Sequence, residues 1–545
     1  MTRKTVLSVL LTACSFTLAA ACGLVPLRAG RTWRYLHNHD GTDILGNLWH
    51  DRRPLTVDDV NDCVDLIAGT GVTTYLMCTG SDLVYYPSRY ARIIGDDAGG
   101  TLDHKGNEFM PVYYRNAQRL AAEGTDVVRV ALERARYHGM ETFLTYRMND
   151  LHFTDPANKG TIYEARFWGE HPEYWLRDGS QGWNSAGALD FTYPEVREHK
   201  YLMLSEQLER YADVSDGLEL DFMRFIVYFR TGEGKDKAPL ITELVRRVKA
   251  KTDSVSAACG HRILLAARVP VNFGECLEKG LDVQTWVNEG LVDFLTLGVH
   301  WCGDPAIDVD AFRAQLGKAG ERIPIYATID DGGFRPRESY SHGSFRGQAD
   351  FALAHGADGI YLFNFYLEQY LKAGCKVGAI PGTDACRTRS RELLCELGSA
   401  RTLRGRNKIL AWRASQPEYL IHSLTPLPLD LPGELKLPLG APLRGRNRPK
   451  EAVLLLRTTC DPAALTLQFA GETLRRLDNE VCVLYHRNGP LDTGEDVSAF
   501  ALPVPLLRRH PDALLQLQAP DGDNTRLTRL ELLLRYGDTA EKGYF

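Results

Sequence analysis

Neither sign of charge dominates this 545-residue chain: 64 Lys and Arg stand against 70 Asp and Glu, a net charge of -6. No basic field of the kind that attracts nucleic acid is present, so a nucleic-acid partner is not expected. A long apolar run is also missing; the stretch from Val6 to Leu18 is too short to span a bilayer. No Gly-rich phosphate loop follows the first strand-like run, which argues against a dinucleotide fold. The 12 cysteines include no CxxC pair, and no HExxH occurs, so nothing in the spacing calls for a metal or other cofactor.

What is present is a normal globular share of hydrophobic residues, 44%, with 10% aromatics. At 545 residues the chain is too long for one ordinary domain and short for three. Its first residues have the layout of an export signal: Arg3 and Lys4, a short apolar run, then Ala19-Ala20-Ala21. Cys22 after the alanines suits a lipid anchor, and Leu11-Thr12-Ala13-Cys14 is a second, earlier lipobox. Lipid anchoring to a membrane and plain secretion both fit, which puts the protein in the periplasm, on the outer membrane or outside the cell. Three close cysteines (Cys375, Cys386, Cys395) and the pair Cys460 and Cys482 suit local disulfides; Cys63, Cys78 and Cys259 sit in apolar runs and read as free thiols.

From about Trp33 to Ala400, β-rich apolar runs alternate with helix-period segments. The strands read as Trp33–His37, Val72–Cys78, Glu141–Tyr146, Gly217–Phe222, Ile263–Arg268, Phe294–Gly298, Ile323–Thr328 and Gly359–Phe363. Gly71, Gly139, Gly290, Gly320 and Gly356 stand where helices need a left-handed C-cap. Eight such units predict an α/β protein with a closed parallel (β/α)8 TIM barrel over residues 31–400. After residue 400 the pattern changes to short alternating runs split by Pro, Gly and Asp: Leu403–Trp412, Tyr419–Leu424, Ala452–Thr458, Leu465–Phe469, Val481–His486 and Leu527–Tyr536. That pattern predicts an accessory C-terminal β-sandwich over residues 401–545, without catalytic groups.

A barrel carries its site at the C-terminal ends of its strands. Two connections there are unusually long, Thr79–Thr125 and Met148–Tyr193, and rich in Tyr, Phe and Trp. Most of these rings read as the loops' own cores, with Trp168 and Trp183 as candidate sugar platforms. In Gly217-Leu218-Glu219-Leu220-Asp221-Phe222-Met223-Arg224, strand alternation sends Leu218, Leu220 and Phe222 toward the helices. Glu219 and Asp221 then face the lumen, where two carboxylates are costly unless paired or catalytic. Arg147 and Arg268 close the neighbouring strands and are placed to hold one of them. The other strand ends supply His37, Asn38, His39, Asp40, Asn149, Asp150, His152, Arg224, Asn272, Glu275, His300, Trp301, Asp304, Asp331 and Asn364 as polar groups for a substrate.

Three segments resemble the bacterial glycosyl-hydrolase-like family ten barrels: His37-Asn38-His39-Asp40-Gly41, Thr145-Tyr146-Arg147-Met148-Asn149-Asp150-Leu151-His152 and the Glu219 segment. Ala267-Arg268-Val269-Pro270 and Gly280-Leu281-Asp282-Val283 share the likeness, which spans about residues 31–365. Ile226 stands where that family's pattern leads to proline. The resemblance implies a TIM barrel that hydrolyses glycans and names neither the sugar nor the catalytic pair. Glycoside hydrolysis needs an acid for the leaving oxygen and a second carboxylate as nucleophile or base. Asp221, at the mouth end, is the expected nucleophile or base and Glu219 its partner, with the roles exchangeable; Glu275, then Asp304, then Asp331 are the acid candidates. Two other classes stand beside this one: a glycan-binding lipoprotein without turnover, and a metal-dependent polysaccharide deacetylase or esterase using His37, His39 or His300.

Overall fold

The computed structural model describes residues 32–48, 52–299, 306–329, 342–363, 365, 384–413, 427–437, 439, 448–459, 465–477, 496–519 and 525–536. The export segment, Cys14 and Cys22, the runs Tyr419–Leu424 and Val481–His486, and Cys375, Cys460 and Cys482 lie outside them. Among the described residues no helix is long and apolar enough to cross a membrane.

Eight parallel strands close into a barrel: β1 Arg34–His39, β2 Thr74–Cys78, β3 Glu141–Arg147, β4 Gly217–Asp221, β5 Leu264–Pro270, β6 Phe294–Gly298, β7 Ile325–Ile329 and β8 Gly359–Leu362. Each pairs with its sequence neighbours and β1 pairs with β8, which closes the ring. All eight fall on the β-rich runs read from the sequence, shifted by two residues at most at either end. Helices capped at their starts follow the strands, such as Val57–Asp65 behind the Thr56 capping box and Val127–Tyr137 behind Asp126. Gly71, Gly139, Gly290 and Gly356 have positive φ, as their chain reversals require. Gly320 does not. It ends the helix Val309–Gly320 as a packing residue, since a Cβ there would lie 2.6 Å from the Leu316 side chain.

The lumen is a packed core. Leu36, Leu76, Phe143, Ala266, Phe294, Tyr326 and Tyr361 form one cluster inside it, while Leu218, Leu220 and Phe222 belong to the larger core between strands and helices. At the N-terminal end a polar knot closes the barrel: Arg34 pairs with both oxygens of Glu141 at 2.6 and 2.8 Å and donates to Tyr326 at 2.9 Å. The start of β4 must be glycine, because a Cβ on Gly217 would sit 2.1 Å from the Phe143 ring.

After residue 400 two antiparallel sheets stack. One has Lys408–Arg413, Arg526–Arg535, Glu451–Thr458 and Asp496–Ala501 as its main strands, and the other has Gly433–Lys436, Leu514–Gln518 and Thr466–Phe469. Leu454, Leu456, Leu530 and Leu532 of the first share one core with Leu435, Leu467, Phe469, Leu515 and Leu517 of the second. This is the arrangement of a β-sandwich. It meets the barrel where the helix His342–Ala354 lies against Lys408–Arg413: a Cβ on Gly347 would be 2.0 Å from the Ile409 carbonyl oxygen, and Lys408 pairs with Asp350 at 3.2 Å. Cys63, Cys78, Cys259, Cys276 and Cys395 are free thiols.

Candidate functional site

The pleat of β4 turns Glu219 and Asp221 inward, in register with Thr145 and Arg147 of β3 and with Ala266 and Arg268 of β5. The two acids take different partners. Asp221 pairs with Arg268 Nη1 at 3.2 and 3.3 Å and accepts from the Met223 N–H at 2.9 Å. Glu219, one layer deeper, accepts from the Thr145 hydroxyl at 2.8 Å and the Tyr361 hydroxyl at 2.7 Å, both on its Oε1. Its Oε2 is buried without a partner. Burial, reinforced by the Asp221 charge, pushes the Glu219 carboxyl up to about 7, against the pull of Tyr361, Thr145 and Arg268. The strand thus carries one ion-paired carboxylate toward the mouth and, beneath it, one carboxyl whose proton affinity burial raises.

Above β1 to β4 the two long loops wall a cleft of about 740 Å³, solvent at its mouth included, lined by Asp40, Asp82, Tyr85, Arg147, Asp150, His152, Trp168 and Arg224 among others. The loops are tied to each other where Asp103 and Ile162 exchange backbone hydrogen bonds with Gly160 and Asp103. At the cleft floor Arg147 bridges Asp40 at 2.6 Å and Asp150 at 3.1 Å. Burial opposes the Arg147 charge, but Asp40, Asp150 and their neighbours outweigh it and raise its proton affinity. Asp150 also meets His152 Nδ1, and Arg224 Nη2 lies 3.2 Å from His152 Nε2. Because arginine only donates, Nε2 accepts and the imidazole is the neutral Nδ1–H tautomer. Burial lowers the His152 pKa and Arg224 adds to that, against Asp150; burial likewise works against an ionised Asp150, and His152, Arg147 and Arg224 hold it well below the usual carboxylate range.

The structure therefore brings Asn38, Asp40, Arg147, Asp150, His152, Glu219, Asp221, Arg224 and Arg268 to the lumen and its mouth, and moves other candidates away. His37 is fully buried on the outer side of β1, stacked on Tyr75 and edge-on to Phe365, because Leu36 takes the lumenal phase of that strand. Burial drives its pKa down to about 3, so it is a neutral packing group and not a sugar ligand. His39 shares that face and pairs with Asp43 at 3.4 Å. Asn149 is a loop clip: its Nδ2 donates to the Leu189 and Val227 carbonyls at 3.2 and 2.6 Å. Glu275 sits in the first turn of the short helix Phe273–Glu278, capped by Asn272, and, like Glu219 and Asp221, is not among the residues that line the cleft. Trp168 is buried and stacked on Trp175 with centroids 4.4 Å apart, so it supports the wall; Trp183 stays 40% exposed, its edge against His152. His300, Trp301, Asp304, Asp331 and Asn364 lie outside the described residues. Among the described residues no three His, Cys, Asp or Glu side chains converge as metal ligands.

Sequence reading missed the support beneath the cleft. Asp82 pairs with Lys200 at 2.8 Å and with His199 at 3.1 Å, and Lys200 is fully buried. The signal was there: Lys200 lies on the same buried stripe as Val196, Met203 and Leu204. Tyr361 carried no motif, and Thr145, though it opens a quoted segment, was not singled out; their role as the hydroxyls on Glu219 emerges only from the barrel register.

No protein-family model matches the chain, and no curated protein matches it by sequence. Solved structures do match in shape. A cycloisomaltooligosaccharide glucanotransferase of Paenibacillus sp., complexed with cycloisomaltoheptaose, is 8% identical at a TM-score of 0.35, covering 94% of this chain and 58% of that one. A GH36 α-galactosidase of Geobacillus stearothermophilus, in complex with stachyose, is 10% identical at 0.36, covering 90% and 56%. The catalytic domain of a β-amylase from Paenibacillus polymyxa is 11% identical at 0.37, covering 62% and 93%. The chain thus spans little more than half the length of the first two. Likeness this distant carries no argument about chemistry, which has to come from the site itself.

Proposed function

We propose that the chain hydrolyses glycosidic bonds of a poly- or oligosaccharide at the barrel mouth, using the β4 carboxyl pair. The observation that supports this most directly is the unlike setting of these two carboxyls: Asp221 is ion-paired to Arg268, while Glu219, two residues away on the same lumenal face, is buried with one oxygen unpartnered and its pKa raised to about 7. Acid–base cleavage of an acetal uses one carboxyl that can hold a proton beside one held as a carboxylate. In this reading Asp221 attacks the anomeric carbon or takes the proton of the attacking water. Glu219, the protonated member, supplies the acid side of the pair. Asp40, Arg147, Asp150, His152 and Arg224 form the polar floor on which the sugar rests, with Trp183 offering a ring at the edge.

The resemblance of three segments to the bacterial glycosyl-hydrolase-like family ten barrels supports the same reading. The charged, apolar and alanine-rich start of the chain supports an exported protein that meets its glycan outside the cytoplasm. One observation favours a second reading, a glycan-binding barrel without turnover: neither Glu219 nor Asp221 lines the cleft, and both are buried. Purified protein incubated with a panel of aryl glycosides and polysaccharides decides between them. Release of reducing ends or aryl alcohol from at least one member supports hydrolysis; saturable binding with no release from any member overturns it in favour of binding.

A further inference from the structure

Arg268 is fully buried, yet it uses only one of its nitrogens. Nη1 holds Asp221, while Nε and Nη2 are buried and make no hydrogen bond. Those two N–H groups form the edge of the guanidinium that grips paired oxygen atoms. The hydroxyls of Thr296 and Thr328 are also buried and unpartnered. Thr296 stands opposite Arg268 in the β5–β6 register. At the end of β6, Gly298 lets Thr328 and Arg268 approach the backbone: a Cβ there would lie 3.0 Å from Thr328 Oγ1 and 3.1 Å from both Arg268 Nε and Nη2, closer than a side chain tolerates. Buried donors are rarely left unmade, since each costs about 1–3 kcal/mol. Here those of Arg268 and Thr328 meet beside Gly298, two strands over from Asp221, with Thr296 in register with Arg268.

We infer that this cradle of Arg268, Thr296, Gly298 and Thr328 is a clamp for two hydroxyl oxygens of a neutral sugar ring, seated so that its anomeric carbon faces Asp221. The inference rests on the hydrolase reading for its orientation and deepens it by naming the substrate class. Charge decides between a neutral and an acidic ring. Asp221 already compensates Arg268, and Asp40 and Asp150 sit on Arg147. A sugar carboxylate in the cradle would add an uncompensated buried charge, which costs several kcal/mol. Sugar hydroxyls supply the lone pairs that Nε and Nη2 lack and can donate to the threonine oxygens, without adding charge.

The test is direct binding, followed by ligand-observed NMR at neutral pH, of glucose, galactose and N-acetylglucosamine against glucuronate and galacturonate. Wild type is compared with Gly298→Ala and Thr328→Val. Gly298 has no positive φ, so alanine fits its backbone and acts by placing a methyl in the cradle. Thr328→Val keeps the shape and removes one hydroxyl. Expected is binding of at least one neutral sugar, weakened about tenfold or more by Gly298→Ala and a few-fold by Thr328→Val, as loss of sugar-hydroxyl partners demands. Tighter binding of a uronate than of its neutral counterpart overturns the inference. So does neutral-sugar binding indifferent to both variants, or no sugar binding at all. Should Gly298→Ala not fold, Thr328→Val carries the decision. Binding is read without turnover, so a clamp that holds while the glycoside panel stays inert sinks only the hydrolase reading. Turnover with a cradle that does not matter sinks only the clamp.

Discussion

Replacing Glu219 by glutamine separates the deeper carboxyl's charge from its hydrogen bonds. The amide oxygen can still accept from Thr145 and Tyr361, and no arginine is stranded, because Arg268 holds Asp221 and Arg147 holds Asp40 and Asp150. Burial raises Glu219 from 4.5 to about 7, so the folded state binds this proton more tightly than the unfolded chain does. A carboxyl raised on folding stabilises fully below its unfolded pKa, and that contribution is lost as pH climbs through the folded value. Two and a half pH units correspond to about 3 kcal/mol. Wild type should therefore lose about that much stability relative to Glu219→Gln between pH 4.5 and about 7, with no further divergence above. Paired urea denaturation curves every half pH unit report the difference, and acid-labile groups common to both proteins, Asp150 among them, cancel. A stability difference flat across that window would refute the protonated lumenal carboxyl.

Three further substitutions probe the scaffold and the rim. Lys200→Met removes the buried cation from Asp82 in the cleft wall, leaving it His199 and the Ser81 hydroxyl, and should cost about 3–5 kcal/mol of unfolding free energy; a loss within experimental error would mean the pair is not a strut. Gly217→Ala forces a methyl onto the Phe143 ring, itself packed against Phe294 with centroids 5.4 Å apart, and should lower stability by about 1–3 kcal/mol or more in thermal melts. Trp183→Ala removes an exposed ring at the edge of the cleft. It should reduce kcat/KM on the identified substrate by about five- to tenfold with the melting temperature unchanged, since an aromatic contact is worth about 1 kcal/mol; an unaltered kcat/KM would remove Trp183 from the substrate path.

The barrel was legible because each strand is an apolar run of barrel length between helix-period segments, and Glu219 and Asp221 could be placed inward because leucines alternate with them. β1 shows where that logic stops. Its six residues are buried on both faces, so Tyr35-Leu36-His37-Asn38-His39 shows no alternation from which to tell lumen from helix side, and only the packing of Leu36 sets the phase. The partner of Arg147 was equally hidden. Its register neighbour is Asp221, yet Asp40 from across the β1 end and Asp150 one turn on capture it, contacts that depend on loop paths and not on spacing. Trp168 and Trp183 are indistinguishable as letters; stacking on Trp175 buries the one, while the other packs against His152 and Phe225 and stays 40% exposed.

The central claim, that the β4 carboxylate at the mouth does the chemistry, is tested most directly by turnover of Asp221→Asn on whichever panel substrate wild type cleaves, measured per folded molecule. The amide can still accept from the Met223 N–H but leaves Arg268 without a carboxylate, so some loss of stability accompanies the change and folded protein must be counted by near-UV circular dichroism. The account predicts a fall in kcat of on the order of a hundredfold or more, the worth of a nucleophile or general base. Turnover within a few-fold of wild type would contradict it and move the chemistry to the rim, where Asp40, Asp150 and His152 line the cleft.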